Sequence, residues 1–567
     1  MKLVIREYLS MLKESGELDV LLPDLILSMN LEPLSRPQIG TRQFGVDLPA
    51  VGIDPDDKVE KLFLFTIKCN DISRNDWDTG KNAIRPSLNE ILDSYLRNLI
   101  RPKHENLPKK IVLVTGGEMK EEVSQDWISF TDRNGGMDDT YGEIEFDFWS
   151  GNKLSILIEN YILDEYLFPE SAQKKIRKTI ALADQNEKQP IYFYSFLNNL
   201  LFKSKLPFDK KLSAIKKRQR ALRLLNLSLN IIFYWCREAD NLKPALYSAE
   251  RAMLNTWGFI EKGALFKCNK TFNEFKKIFE TYLNIGKEYA EKMEPYCKTR
   301  DGLCGFGADR FEYPLRCMEV LGILGSVSLA FTFYATLINN EEKINEYLDI
   351  GENITGLILS LFDSNNGALT PLYDEHSIDI SLAFMSLLTV DEKERASESL
   401  NQISTRICVG CNIGINFPIS TDSFNDLLSW NYNGEPSKEE LIKFSTLIPM
   451  LCEFHIFLST NEDYSNFLKG ITENFNDTHF QHWYPDDETE KYLYQDNAGY
   501  KSGINFSRQE LPKDITDLKE EMIQLSKERS EFYNLSFIKE NWPMIGLIAS
   551  RHFRTPVMPQ YWQQSIS

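Results

Sequence analysis

Residues 43–68 read QFGVDLPAVGIDPDDKVEKLFLFTIK, two apolar runs joined by a short charged turn. The first run is punctuated by glycines. The second, KLFLFTIK, is rich in the aromatic and aliphatic residues typical of a buried strand. Two such runs separated by a polar turn predict an antiparallel β-hairpin.

The segments around this hairpin predict a layered α/β domain. Residues 1–32 have helically spaced leucines, and residues 82–100 repeat that pattern after the hairpin. The run KKIVLVTGG at 109–117 predicts an interior strand, followed by a helix at 118–130, a strand at 142–151 and a helix at 152–168. The order α–β–β–α–β–α–β–α predicts one compact domain over residues 1–170.

From residue 171 to residue 567 helical spacing dominates, so the fold class is multidomain, with a large, mostly α-helical region after the α/β domain. Residues 405–435 and 477–512 are rich in Asn, Asp, Gly and aromatics, which predicts loops or short hairpins. A break near 400–435 would divide the helical region into two subdomains.

The charge of the chain restricts where nucleic acid can bind. The 567 residues have a net charge of −19 and a pI near 5.0, so a nucleic-acid surface must come from a local basic patch. A basic helix at 209–225 offers one, with Lys210, Lys211, Lys216, Lys217, Arg218 and Arg220. The alternatives are a solvated face paired with acidic neighbours, or a contact with an acidic partner subunit.

Nine scattered cysteines without a regular framework favour a reducing, cytoplasmic compartment, and the charged N-terminus is unlike a signal peptide. Cys408 and Cys411 form a lone CxxC without a second pair at zinc-ribbon spacing, which leaves zinc binding open. Residues 320–338 carry no charge. Such a segment fits either a membrane span or a helix buried in a large domain, and we expect the latter and no membrane association.

Asp47 and Lys68 are the candidate catalytic residues of the hairpin. Period-2 alternation places Thr66 and Lys68 on one face of their strand, and Asp47 can meet Lys68 across the hairpin if it faces the same way. Carboxylate oxygens are the ligands that Mg²⁺ prefers. A lysine beside them can orient a water molecule and stabilise negative charge in phosphodiester cleavage.

The motif Gly45-x-Asp47 followed by Thr66-x-Lys68 resembles the PD-(D/E)XK (restriction-endonuclease-like) nuclease superfamily, specifically its Mrr-like branch. The resemblance covers residues 1–170. It implies Asp47 as a ligand of Mg²⁺ or Mn²⁺ and Lys68 as the catalytic lysine. It also implies a helix-1 glutamate as metal ligand, Glu17 with Glu14 behind it, and a phosphate contact from Gln43.

One position departs from that family, since Thr66 stands where an acid or glutamine is expected. Thr66 can supply a hydroxyl ligand but no charge. Either another acid, Asp71 or a helix-1 glutamate, replaces the missing carboxylate, or the site is weakened or inactive. Arg74, just downstream, is a further candidate for contacting nucleic acid.

The resemblance implies a metal-dependent endonuclease that cleaves DNA, or less favourably RNA, as a restriction-type or antiviral defence effector. The helical region would then regulate it or assemble it into a homo-oligomer or with a partner subunit. The alternative is a catalytically inactive nuclease fold that serves as a binding or scaffold subunit of a defence complex.

Overall fold

A computed structural model describes residues 2–35, 43–79, 83–163, 168–185, 189–305, 310–390, 392–494 and 502–564. The chain divides into two compact units, one formed by residues 1–185 and 191–240 and the other by residues 186–190 and 241–567. The first is a mixed α/β unit and the second is mostly helical, which confirms the predicted fold class.

The first unit is built on a six-stranded sheet in the order β1-β2-β3-β4-β6-β5. Its strands are β1 (Glu32–Pro33), β2 (Leu48–Ile53), β3 (Glu60–Lys68), β4 (Lys109–Thr115), β5 (Gly136–Asp138) and β6 (Gly142–Trp149). β2 and β3 pair antiparallel, with Leu48 opposite Phe65, which confirms the predicted hairpin. β4 runs parallel to both β3 and β6 and is buried along its whole length, as the β-branched run predicted.

The helices of the first unit cover the sheet and continue beyond residue 170. They are α1 (Lys2–Ser10), α2 (Asp19–Ser28), α3 (Ile84–Glu90), α4 (Leu96–Asn98), α5 (Glu121–Asn134), α6 (Gly151–Tyr161), α7 (Glu170–Ile180), α8 (Ile191–Asn198) and α9 (Leu212–Glu238). One face of β3 packs Leu62 and Leu64 into a core with Trp77, Leu88 and Ile111. That core anchors the hairpin, because its apolar side chains leave the water together.

Helix α9 runs antiparallel along α2. Near its start the Lys216 ammonium donates to the side-chain oxygen of Asn30 (2.8 Å), and near its end Arg237 pairs with Glu17 (3.1 Å). Helix α9 also contacts α1, where the rings of Tyr8 and Tyr234 meet edge to face. These contacts explain why α9 belongs to the first unit.

The second unit contains the remaining helices and a small three-stranded sheet in the order β7-β8-β9. Its strands are β7 (Phe444–Ser445), β8 (His479–Tyr484) and β9 (Ile504–Arg508). Its helices are α10 (Lys243–Lys262), α11 (Asn269–Lys298), α12 (Glu312–Ala335), α13 (Glu341–Ser364), α14 (His376–Leu388), α15 (Lys393–Ile413), α16 (Phe424–Asn433), α17 (Lys438–Leu441), α18 (Leu447–Leu458), α19 (Asn461–Asn474), α20 (Thr489–Leu493), α21 (Ile515–Glu528), α22 (Ser536–Lys539), α23 (Met544–Phe553) and α24 (Gln560–Gln563).

The prediction of loops or short hairpins at 405–435 was wrong where α15 and α16 lie, whereas within 477–512 the strands β8 and β9 pair antiparallel, with α20 between them in the chain. Residues 405–413 are weak helix formers, but α15 buries Ile403, Ile407 and Cys411, and this packing overrides the local preference. The helix ends at Gly414, whose φ of +71° suits glycine.

The uncharged segment lies in α12, and in the described part of the chain this helix alone is long and apolar enough to cross a membrane. Of its most apolar window, 78% is buried inside the protein. Its Ser328 hydroxyl lies 2.7 Å from the hydroxyl of Thr355 and 3.0 Å from the Gly351 carbonyl oxygen it donates to. A core helix has these properties too, so the evidence for a membrane span is weak.

A buried ionic network joins α10 to α23 in the second unit. The Glu250 carboxylate is fully buried and accepts hydrogen bonds from the Arg551 guanidinium, one of them 2.8 Å long. The other oxygen of Glu250 lies 3.0 Å from Nδ1 of His552. Although burial opposes ionisation, the arginine and histidine hold the pKa of Glu250 below its usual range.

Candidate active site

Asp47 lies directly before β2 and is hydrogen-bonded to the neighbouring strand twice. Its N–H donates to the Phe65 carbonyl (2.9 Å), and its carboxylate accepts from the N–H of Ile67 (2.7 Å). Ile67 stands between Thr66 and Lys68, so the acidic side chain is held against the stretch of β3 that carries them. These bonds fix the aspartate rigidly at the end of the hairpin.

Gly45 makes this arrangement sterically possible. Its φ is +81°, and a Cβ at this position would lie 2.1 Å from the carbonyl oxygen of Ser87 in α3. Its own carbonyl accepts a hydrogen bond from the Thr66 hydroxyl (2.7 Å). The glycine of the Gly-x-Asp motif is therefore needed for the backbone conformation and for the close approach of α3.

Lys68, the last residue of β3, faces the segment between α1 and α2. Its ammonium lies 3.9 Å from the carboxylate of Glu14, and the lysine side chain is only 13% exposed. Glu14 begins the single-turn segment Glu14–Leu18, which is kinked at Ser15 and Gly16, where the φ of Gly16 is +83°. The kink separates α1 from α2. It places Glu14, which precedes it, and Asp19, which follows it, near the hairpin.

Three carboxylates, those of Glu14, Asp19 and Asp47, interact electrostatically at this place. Burial is the largest influence on each and raises the pKa of all three. The charge of Asp47 raises the pKa of Glu14 and of Asp19 further, while the Lys68 ammonium acts in the opposite direction on Glu14 and Asp47. The cluster thus has three acids and one lysine, and its acids repel one another when ionised.

Asp19 was not predicted as a site residue. It is the first residue of α2, and its Oδ1 is buried without a hydrogen-bond partner among the described residues. The pair Ser15-Gly16 favours a break in the helix and was visible in the sequence. Nothing in the sequence, however, indicates that the residues after this break lie near Asp47. Only the packing of the kink against β3 shows this.

Glu17, the first choice for the helix-1 glutamate, does not join the cluster. One of its oxygens pairs with Arg237 (3.1 Å) and the other accepts from the Lys13 N–H (2.8 Å). Glu14, the second choice, takes that place. Asp71, the suggested substitute for the acid missing at position 66, instead accepts from the Glu118 N–H (2.9 Å).

Two further predicted site residues, the phosphate contact Gln43 and the metal ligand Thr66, lie in the turn before Asp47 and in β3. The Gln43 carbonyl accepts from the Val46 N–H (3.2 Å), which closes the turn before Asp47. Thr66 is 1% exposed, and its hydroxyl donates a hydrogen bond to the carbonyl of Gly45. A buried hydroxyl already engaged in this way is a poor candidate for a metal ligand.

The predicted nucleic-acid residues fall into two groups. Arg74 and the lysines at 210, 211, 216 and 217 are exposed, although Lys216 also donates to Asn30. Arg220 is half-buried. Arg218 is fully buried, and its guanidinium donates to the carbonyls of Pro207 (2.6 Å) and Asp209 (2.9 Å), so it does not reach solvent.

A second acidic cluster lies at the opposite end of β3. Oxygens of Asp54, Asp57 and Glu145 lie within 4.8 Å of one another. The Lys61 ammonium is 3.0 Å from Asp54 and 2.5 Å from the other two, and Lys110 is 2.9 Å from Asp54 and 3.0 Å from Glu145. The two ammonium groups already pair with these three acids, so a cation would have to compete with them.

The CxxC cysteines lie one turn apart on α15. Cys411 is buried, and burial raises the pKa of the Cys408 thiol to about 12, which favours the protonated form. Among the described residues no further His, Cys, Asp or Glu ligand completes a group of three with them. The arrangement does not favour a structural zinc site, which needs deprotonated thiols and four ligands.

The residues around Lys68 fit a hard divalent cation. Carboxylate oxygens suit Mg²⁺ or Mn²⁺, and the partnerless Oδ1 of Asp19 is a buried oxygen without a donor. The oxygens of Glu14, Asp19 and Asp47 do not all lie within 4.8 Å of one another, so one ion could contact only some of them directly, and water would have to bridge it to the others. No protein-family model, curated protein or solved structure matches the chain.

Proposed function

We propose that the first unit is a metal-dependent nuclease whose active site consists of Asp47, Lys68, Glu14 and Asp19. The observation that carries the proposal is the electrostatic cluster at the end of the hairpin. Three partly buried carboxylates have raised pKa values, two of them, Glu14 and Asp47, interact with Lys68, and such perturbed groups concentrate at functional sites.

In this proposal Asp47, Glu14 and Asp19 would hold Mg²⁺ or Mn²⁺ directly or through bound water, and the ion would supply positive charge beside the phosphate and make a bound water more acidic. Asp47 is fixed by its bonds to β3, so its carboxylate is positioned before a substrate arrives. Lys68 orients the attacking water and stabilises the negative charge of the transition state. Asp19 compensates for the carboxylate that Thr66 lacks.

The substrate in this proposal is DNA in preference to RNA, and the protein is a restriction-type or antiviral effector. This part is supported by the resemblance of the hairpin motif to PD-(D/E)XK nucleases and by the attachment of a large helical unit. The helical unit regulates the nuclease or assembles it with further subunits.

The engaged hydroxyl of Thr66 favours a second candidate, an inactive nuclease fold that binds nucleic acid or a partner without cutting. Thr66 supplies no charge and its hydroxyl is committed to Gly45. In that case nucleic-acid or partner binding survives Asp47→Ala, and no cleavage occurs with either metal.

The deciding experiment measures cleavage of linear and circular DNA, and of RNA, with Mg²⁺ or Mn²⁺. Wild-type protein is compared with Lys68→Ala, and Lys393→Ala in the second unit serves as a control for loss of one exposed lysine. We expect cleavage by wild type and by the control, and none by Lys68→Ala. Equal cleavage by wild type and Lys68→Ala would exclude Lys68 from the chemistry, and no cleavage by wild type would favour the inactive scaffold.

A further inference from the structure

Positive charge is concentrated in one segment of the first unit. Residues 170–223 contain fourteen Lys and Arg but only four Asp and Glu, in a chain of net charge −19. A segment of this sign in an acidic protein produces a local positive potential that attracts polyanions. The question is whether the fold leaves these charges free.

Five exposed lysines of this segment, Lys203, Lys205, Lys210, Lys211 and Lys217, form what we call the basic surface. Lys203 ends the turn after α8, Lys205 follows it, and the other three lie at or near the start of α9. Their ammonium groups make no ion pair with any residue in the described ranges. Their charge is therefore not neutralised inside the unit.

Two further observations show that the fold does not compensate this charge. Burial lowers the pKa of Lys175 in α7, and the positive charge of Lys203 lowers it further. The two ammonium groups therefore lie close enough to repel each other. Lys210 and Lys211 precede α9, whose first turn contains no acidic residue, and the one acid beside them is Asp209, whose carboxylate accepts from the Lys211 N–H (2.9 Å). Such an arrangement costs stability in the free protein and favours a bound anion.

Helix α9 also sets the distance between the basic surface and the candidate active site. Its far end is fixed beside that site, because Arg237 pairs with Glu17 in the same turn that contains Glu14. At 1.5 Å per residue, the 20 residues from Lys217 to Arg237 span roughly 30 Å. One turn of a nucleic-acid double helix is about 34 Å long.

We propose that the basic surface binds the phosphate backbone of double-stranded DNA and holds it about one helical turn from the site where the proposed nuclease cuts. The position of the DNA relative to the cleavage site rests on the proposed nuclease function. The binding of the DNA phosphates rests only on the exposed lysines of the basic surface. Because no base-reading groups are implied, binding depends on charge and duplex length and not on sequence.

The test measures fluorescence anisotropy of a 30-base-pair DNA duplex over a range of salt concentrations, without divalent metal so that cutting is absent. Wild type is compared with a variant in which all five lysines of the basic surface are replaced by Gln. The control variant has the same loss of charge at five exposed lysines of the second unit: Lys262, Lys343, Lys393, Lys519 and Lys539.

Each lysine–phosphate contact contributes about 0.9 to the slope of log affinity against log salt, so loss of five contacts flattens the slope by up to about 4.5. We expect this change in the basic-surface variant and an unchanged slope in the control. Equal slopes in all three proteins would overturn the proposal. So would binding of wild type to phosphatidylserine vesicles but not to the duplex, which would assign the surface to membranes.

A second arm uses cleavage with Mn²⁺ and separates this proposal from the proposed function. Duplexes with about 10 base pairs or more on one side of the cut are cleaved well, and shorter ones at least ten-fold more slowly. Absence of all cleavage together with a flattened binding slope would support the basic surface and contradict the nuclease. Cleavage independent of duplex length and unaffected by the five replacements would contradict the basic surface alone.

Discussion

Asp47→Asn gives the most direct test of a metal site at the end of the hairpin. The Asn oxygen can still accept the hydrogen bond from the Ile67 N–H, so the variant removes charge with little change of shape. The pKa of Asp47 is raised in the folded protein, which means that its proton is bound more tightly there than in the unfolded chain.

The sign of the effect on stability follows from that shift. The stability that the protonated carboxyl contributes is present at low pH and is lost as the pH rises from the usual Asp value of 3.8 through the raised pKa. At neutral pH without metal, Asp47→Asn should therefore unfold at a higher temperature than wild type. At a pH below the usual value the difference should vanish.

Metal should reverse this order at neutral pH. A tenfold excess of Mg²⁺ or Mn²⁺ over its dissociation constant stabilises wild type by about 1.4 kcal/mol. For a unit of roughly 235 residues this corresponds to a rise in Tm of about 3–6 °C. The variant lacks the central carboxylate and should gain much less.

The assay is differential scanning calorimetry of the full chain with and without metal, at neutral and acidic pH. Asp57→Asn is the control, because it removes one acid from the cluster around Lys61 and Lys110. An equal metal-induced shift in wild type and Asp47→Asn would refute the site. If only Asp57→Asn lost the metal-induced rise in Tm, the metal would bind at the other end of β3, in the cluster around Lys61 and Lys110.

Three further predictions concern the neighbouring acids and the core. Glu14→Gln should abolish both the metal-induced shift and cleavage, whereas Glu17→Gln should keep both and lose about 1 kcal/mol, because Gln can still accept from the Lys13 N–H and only the charge of the pair with Arg237 is lost. Cleavage assays and calorimetry of the two variants check this, and the opposite pattern would restore Glu17 as the ligand. Gly45→Ala should destabilise the first unit by about 3 kcal/mol or more in urea unfolding, since a positive φ and a clash with α3 coincide; a loss below about 1 kcal/mol would contradict the geometry. Glu250→Gln should destabilise the second unit by about 3–5 kcal/mol, because the buried Arg551 charge loses its partner, and an unchanged denaturation midpoint would contradict that network.

Local pattern was sufficient for most elements of the first unit, although it did not predict the short strands β1 and β5. The continuous apolar run of β3, the alternating run of β6, the β-branched run of β4 and the polar turn at 54–60 each carry their own signal, because strand and turn patterns are properties of neighbouring residues. The same holds for the position of Lys68 at a strand end and for Asp47 across the hairpin. Where local preference and packing disagreed, as in α15, local pattern failed.

Which acids meet Lys68 depended on long-range packing. The spacing of residues 14–19 contains three acids, and nothing in it distinguishes Glu14 and Asp19 from Glu17. The kink at Gly16 and the docking of α9 decide this, because Arg237 takes Glu17 as its partner from more than 200 residues away. Contacts between residues so far apart in the chain have no periodic trace in the sequence, since each depends on how whole elements pack.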